Sequence, residues 1–66
     1  MRPTPREVVV LEFLATGLTA GAIARRLAIA ERTVQKHLQH VYTKFGVDDG
    51  LTAVCRAQRI GVLGRP

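Results

Sequence analysis

The residues of this chain with the clearest binding chemistry lie between positions 31 and 45. At about 100° per residue, a helix over this stretch gathers polar side chains on one side, namely Arg32, Gln35, Lys36, Gln39, His40 and Thr43. Cationic groups donate to phosphates, and side-chain amides both donate to and accept from base edges. A plainly solvated face is the alternative, but it does not require this set of groups. The stretch predicts a DNA recognition helix.

The other side of the same helix is apolar and must pack on further elements, through Val34, Leu38, Val41 and Phe45. Before it, residues 20–27 are typical of a short helix that Thr19 caps and that buries Ala20, Ile23, Ala24 and Leu27. Residues 28–30 leave room only for a tight turn, with Ile29 directed inward. A short helix, a three-residue turn and a longer two-faced helix have the order of a helix-turn-helix.

A further helix is predicted at the start of the chain, where Thr4 can act as a cap, Pro5 suits the first helical position and Glu7 completes a capping box. It runs to about residue 16 and ends at Gly17. Its expected buried residues are Val10, Leu11, Leu14 and Ala15.

A fourth helix is predicted over residues 51–60, with Asp49 as its cap. Gly46 and Gly61 end the third and fourth helices, and the two residues after Gly61 fold back on the core. The residues of this fourth helix expected to face the core are Ala53, Val54, Ala57 and Ile60. The fold class is therefore all-α, a compact four-helix domain containing a helix-turn-helix.

Length and composition limit the possible partners. A chain of 66 residues with 47% hydrophobic residues is one folded domain, with an expected ordered core at residues 4–63 and no apolar run near the roughly 20 residues of a membrane span. The net charge of +5 indicates a polyanionic partner, and five cations lie in the central segment, at Arg25, Arg26, Arg32, Lys36 and Lys44. The single Cys55 and the lack of a signal-peptide pattern favour an intracellular, cytoplasmic location.

Catalytic and metal-binding chemistry is disfavoured by the spacing of the reactive residues. His37 and His40 are three residues apart on one helix, but no Cys or carboxylate pair accompanies them. Cys55 has no adjacent base, and Asp48 and Asp49 are typical of a turn and a cap. We expect no enzyme activity, no cofactor and no bound metal.

Five motifs follow one another over residues 4–54, namely T-P-R-E, I-A-R-R-L, E-R-T-V-x-x-H-L, K-F-G-V and L-T-A-V. In this order and spacing they resemble the LuxR-type (GerE-type) helix-turn-helix domain of bacterial transcription regulators. The resemblance implies sequence-specific binding of double-stranded DNA for transcriptional regulation, with the third helix in the major groove. It also implies that the chain is the C-terminal effector domain of a longer regulator, whose N-terminal sensor or receiver domain is missing here.

Carried over by position, the resemblance assigns base reading to Gln35, Lys36 and Gln39. It assigns contacts to the DNA backbone to Arg32, Thr33, His37 and Lys44. Two departures from the family pattern are Ala30, where a serine or threonine cap is common, and Ala22, which replaces a frequent acidic residue. Both remove capping groups but leave the proposed reading face unchanged.

The resemblance further implies that the fourth helix supports dimerisation. An outward stripe at helical spacing, Leu51, Cys55 and Gln58, predicts the surface through which a homodimer forms on DNA. A small basic helical protein-interaction module, using Val8 and Val9 or Leu51 and Cys55, is the alternative from another class. Salt separates the two, because DNA binding weakens steeply as salt rises.

Overall fold

Residues 3–64 form four helices, as the sequence predicts: α1 (Pro5–Ala15), α2 (Ala20–Leu27), α3 (Glu31–Phe45) and α4 (Gly50–Arg59). The computed structural model describes residues 3–64, and these include the whole of the ordered core expected at residues 4–63. Within them, all regular structure is helical. None of these helices is long and apolar enough to cross a lipid bilayer.

Three of the four helices begin at the predicted caps. Thr4 forms the complete capping box with Glu7, Thr19 accepts from the Ala22 backbone N–H, and Asp49 accepts from that of Thr52. The hydrogen bonds from Thr52 lower the pKa of Asp49. Helix α3 differs, because Ala30 at its cap position makes no side-chain hydrogen bond, as the sequence predicts.

The turn between α2 and α3 contains the one departure from ordinary backbone geometry among non-glycine residues 3–64. Ala28 ends α2 in the left-handed conformation, with φ of 57° and ψ of 42°. Helices commonly end in this conformation, but glycine usually adopts it because a Cβ atom is strained there. Gly46 ends α3 in the same way without that strain, at φ of 68°. The turn that orients α3 is therefore the strained one.

Two apolar clusters form the core. The first joins α1 and α4 to the second half of α3, through Leu11, Val41, Phe45, Ala53, Val54, Ala57 and Leu63. The second joins α1 and α2 to the first half of α3, through Val10, Ile23, Ala24, Val34 and Leu38. Leu14 and Tyr42 contact both clusters, and burial, with the nearby charge of Asp49, raises the pKa of Tyr42. The clusters are thus parts of one connected core.

Two burial predictions are wrong, those for Ala15 and Ile60, and each has a local cause. Ala15 is exposed and Glu7 is buried, because the buried stripe of α1 begins one turn earlier and ends at Leu14, which is half-buried. Ile60 is 55% exposed, because α4 ends at Arg59 and the chain reverses at Gly61. The reversal brings Leu63 into the core in its place, with its backbone N–H bonded to the Ala57 carbonyl.

Candidate nucleic-acid interface

Helix α3 has the two faces that its sequence predicts. Its four apolar residues are all buried, at Val34, Leu38, Val41 and Phe45. Its other side exposes six polar side chains, at Arg32, Gln35, Lys36, Gln39, His40 and Thr43. The packing of one face on α1, α2 and α4 fixes the direction in which the other points.

The three residues predicted to read bases lie together on this exposed side. Gln35, Lys36 and Gln39 border an open depression of about 400 Å³ between α2 and α3. The other residues that line it are Ala20, Arg32, Leu38 and Tyr42. The depression has an apolar floor from α2 and α3 and a rim of two cations and two amides.

Gln35 is the only one of the three with a side-chain hydrogen bond among residues 3–64. Its Nε2 donates to Glu31 Oε2 at 3.4 Å, one turn earlier on α3. The same carboxylate lies over the first turn of α2, since a Cβ atom at Gly21 would be 3.1 Å from Glu31 Oε1. Gly21, which has no side chain, leaves room for Glu31. A negative charge there suits the positive end of the α2 dipole and offsets the missing acid at Ala22.

The four residues predicted to contact the DNA backbone differ in how freely they are displayed. Arg32 is exposed at the start of α3, while Thr33 and His37 are half-buried. Lys44 is largely covered, with its side chain 19% exposed, and its Nζ lies 2.8 Å from Glu7 Oε1. A phosphate role for Lys44 stays a prediction, and it now competes with this internal partner.

Glu7 is a buried carboxylate that three groups surround. Oε1 accepts from the Thr4 backbone N–H at 2.9 Å and from Lys44 at 2.8 Å, while Oε2 lies 3.7 Å from His40 Nδ1. Burial alone would raise the pKa of Glu7, but the hydrogen bonds and the positive charges of Lys44 and His40 outweigh it and lower the pKa. Sequence reasoning found only the capping role of Glu7. The spacing of 37 residues between Glu7 and Lys44 gave no signal for their contact.

A family model described as "Bacterial regulatory proteins, luxR family" matches residues 3–57 of the chain. The chain belongs to the luxR family.

Similar proteins agree with this assignment. Transcriptional regulatory protein YdfI of Bacillus subtilis (strain 168) is 42% identical over 60 residues, which are 91% of this chain and 28% of YdfI. VjbR of Brucella ovis (strain ATCC 25840 / 63/290 / NCTC 10512), an HTH-type quorum sensing-dependent transcriptional regulator, is 40% identical over 63 residues, 96% of this chain and 24% of VjbR. The crystal structure of response regulator ChrA, from a heme-sensing two-component system, matches with a TM-score of 0.92 and 35% identity, covering 96% of this chain and 31% of that chain.

The family and its relatives establish the function at the level of the domain, which is DNA binding in transcription regulation. They also agree with the four-helix, helix-turn-helix fold. The chain spans about a quarter to a third of the length of these three relatives.

The three residues predicted to form a dimer surface differ in exposure. On α4, Leu51 is 77% exposed and Cys55 is exposed, while Gln58 is half-buried. A shallow depression of about 180 Å³ surrounds Cys55, and its other lining residues are Thr52, Arg56 and Arg59. The stripe is therefore more basic at its edge than the sequence pattern alone indicated.

Grouped metal ligands are absent from residues 3–64, where no three His, Cys, Asp or Glu side chains lie close enough together to hold an ion. His40 instead faces the Glu7 carboxylate, and His37 is half-buried on α3.

Proposed function

We propose that α3 lies in the major groove of double-stranded DNA and reads its sequence, and that neighbouring side chains bind the phosphates. The observation that carries this proposal is the exposed polar face of α3, held in place by a fully buried apolar face. A helix of 15 residues is roughly 22 Å long, and the major groove of B-DNA admits a helix of this diameter. The excess positive charge of the chain attracts the duplex before α3 enters the major groove.

In this proposal Lys36 and Gln39 are the main base readers. Lys36 is a pure donor and favours guanine O6 or N7, while the Gln39 amide matches the donor and acceptor of adenine. Gln35 shares its amide with Glu31, so part of its hydrogen-bonding capacity is used within the domain. We therefore assign Gln35 the smaller share of the reading.

Arg32, Thr33 and His37 are the proposed phosphate contacts, and Lys44 is a fourth candidate whose ammonium group is already paired with Glu7. Arg32→Ala should weaken binding to every duplex about equally and reduce the salt slope by about one, because each phosphate contact releases about one counterion. Affinities of the variant and the wild type, measured across a salt series on two unrelated duplexes, test this placement. Unchanged affinity and an unchanged salt slope would show that Arg32 does not contact the DNA backbone.

We further propose that two copies pair on DNA through α4. An antiparallel crossing centred on Cys55 sets Leu51 of one copy against Arg59 of the other, so the two Arg59 side chains do not face each other. The contact is small, so pairing is expected on a duplex with two half-sites and not in free solution. Mild oxidation on such a duplex should join Cys55 to Cys55, and two-to-one binding without this crosslink would move the dimer surface elsewhere.

The chain in this proposal is the DNA-binding part of a longer regulator that acts without catalysis in the cytoplasm, where a sensor or receiver domain controls it. Its length relative to YdfI, VjbR and ChrA supports this. Selection of binding sites from random duplexes, followed by affinity measurements across salt, tests the function. A recovered site sequence and a steep salt dependence are expected. Weak, salt-insensitive binding with no selected site would favour the protein-interaction module instead.

A further inference from the structure

Lys44 and Glu7 join two helices that lie far apart in the sequence. The Lys44 ammonium group is 2.8 Å from the carboxylate, and the Glu7 side chain is only 4% exposed. Glu7 is in the first turn of α1, and Lys44 is in the last turn of α3. The contact therefore ties the start of the first helix to the end of the helix that carries the base readers.

We propose that Glu7 is a positioning residue for DNA reading and that it acts through Lys44. In this view Lys44 is an anchor within the domain and not a phosphate contact. The proposal rests on the proposed function of α3 in the major groove. The pair sets the rotation and tilt of α3 on α1, and thereby the positions of Lys36 and Gln39 at the base edges.

The hydrogen bond between Lys44 and Glu7 constrains the orientation of α3 on α1. Apart from the contacts of Glu7 with Lys44 and His40, α1 and α3 meet through apolar side chains, and apolar burial does not depend strongly on orientation. A charge-assisted hydrogen bond at 2.8 Å is directional, and its acceptor is itself held by the Thr4 backbone N–H. Recognition sites tolerate errors of only about 0.5 Å and 10–20°. A directional contact of this kind can supply the accuracy that apolar packing does not.

The buried Glu7 carboxylate has its closest positive charge in Lys44. If its ammonium group moved to a phosphate, the buried Glu7 carboxylate would lose its closest cation, and an unpaired buried charge is strongly unfavourable. The gain from a phosphate contact at the surface would be offset by that loss. We therefore expect Lys44 to remain paired with Glu7 when the domain binds DNA.

Glu7 also lies close to a second side chain of α3. Glu7 Oε2 faces His40 Nδ1 at 3.7 Å, and His40 lies one turn before Lys44 and directly after Gln39. Two side chains of α3, one turn apart, thus converge on one carboxylate of α1. Lys44 supplies the hydrogen bond, and His40 lies near the other oxygen of the same carboxylate.

The central test replaces Glu7 by glutamine. Glu7→Gln removes the charge but keeps a residue that capping boxes accept at this position, so the start of α1 is retained. Its matched control is Glu12→Gln, the same change at an exposed position of the same helix. Affinities for the selected duplex and a scrambled one are compared, at a temperature where circular dichroism shows each variant folded.

Electrostatic attraction alone and an anchoring role for Glu7 predict opposite changes in the affinity of Glu7→Gln for the selected duplex. Both substitutions raise the net charge by one, so attraction alone predicts slightly tighter binding to every duplex. An anchoring role predicts that Glu7→Gln weakens binding to the selected duplex by about tenfold, similar to one lost base contact, with little change on the scrambled duplex. Glu12→Gln should show only the electrostatic effect. If Glu7→Gln behaves as Glu12→Gln does, the proposal is wrong.

Lys44 variants complete the test. Lys44→Met should weaken binding to the selected duplex as much as Glu7→Gln does, with an unchanged salt slope, and the double variant should lose no more. Lys44→Arg keeps a cation that can reach Glu7 and should retain the preference. A salt slope reduced by about one, with equal losses on both duplexes, would make Lys44 a phosphate contact and overturn the proposal.

Failure of the anchor and failure of the proposed function are distinguishable. A wild-type domain that binds the selected and scrambled duplexes equally would reject base reading by α3 itself. A wild-type preference that Glu7→Gln leaves intact would reject only the anchor.

Discussion

The two halves of α3 are held in the domain by different means. Its first half, residues 31–39 (the reading half), begins without a side-chain cap and packs on α2. Its second half, residues 40–45 (the anchored half), packs on α4 and has Lys44 paired with Glu7. All three proposed base readers lie in the reading half. Because one continuous helix joins the halves, a contact at one end can set the position of side chains at the other.

The largest expected effect tests whether the two halves unfold together. Ile23→Ala opens a cavity under the reading half and should lower the free energy of unfolding by about 2–5 kcal/mol. Leu11→Ala, under the anchored half, should cost a similar amount. Because Leu14 and Tyr42 contact both clusters, each variant should unfold in one urea transition. A separate early transition in Ile23→Ala, followed by amide signals from each half, would show that the halves are independent.

The next effect is a loss of stability in acid, where protonation of Glu7 should weaken its contact with the anchored half. The folded-state pKa of Glu7 lies below its ordinary value of 4.5, so its contribution to stability is full above that value and is lost as pH falls through the folded pKa. Urea titrations from pH 7 to pH 3 should show wild-type stability falling in the acid part of this range. Glu7→Gln should fall less steeply, while Glu12→Gln should follow the wild type. Equal slopes for Glu7→Gln and the wild type would contradict the role of the pair.

A smaller effect should remove one difference between the halves. Ala30→Ser supplies the missing cap of α3 and should raise the free energy of unfolding by about 1 kcal/mol. Ala30→Val, which cannot accept a hydrogen bond, is the control and should give no such gain. Urea unfolding measures both. A serine variant no more stable than the valine variant would mean that the free N–H groups at the start of α3 are already satisfied by solvent.

The smallest expected effect lies in the turn before the reading half. Ala28→Gly relieves the left-handed strain at φ of 57°, although glycine loses more entropy on folding, so the net gain should be under about 1 kcal/mol. Ala28→Val should instead destabilise, because a β-branched residue fits that conformation poorly. Thermal unfolding of the two variants gives the order. A glycine variant less stable than the wild type would show that Ala28 is not strained.

Local rules were enough to predict most of the fold. The bounds of α2 and α3 follow from Thr19, the short turn and Gly46, which act on their nearest neighbours in the chain. The exposure of Lys36 and Gln39 follows from helical spacing alone. The structure bears out those helix bounds and that exposure, while the roles of the two residues at DNA stay predictions.

Contacts between distant segments could not be predicted in the same way. A capping box accounts fully for Glu7 within α1, so nothing local indicates that Lys44 also reaches it. Gly50 is similar, since a Cβ atom there would lie 2.9 Å from Leu14 Cδ2, a clash that only the packing of α4 on α1 creates. Such features depend on how the helices are placed, which a pattern of single residues does not determine.

The central claim is that the reading half of α3 distinguishes DNA sequences, and Lys36→Ala tests it most directly. Its control is Arg6→Ala, which removes the same charge from an exposed position of α1. Binding of both variants is measured on the selected duplex and on a scrambled one. Lys36→Ala should lose about 1–3 kcal/mol on the selected duplex and little on the scrambled one, while Arg6→Ala should change both slightly and equally. Equal losses for Lys36→Ala on the two duplexes would contradict base reading and leave Lys36 as a contact to the DNA backbone.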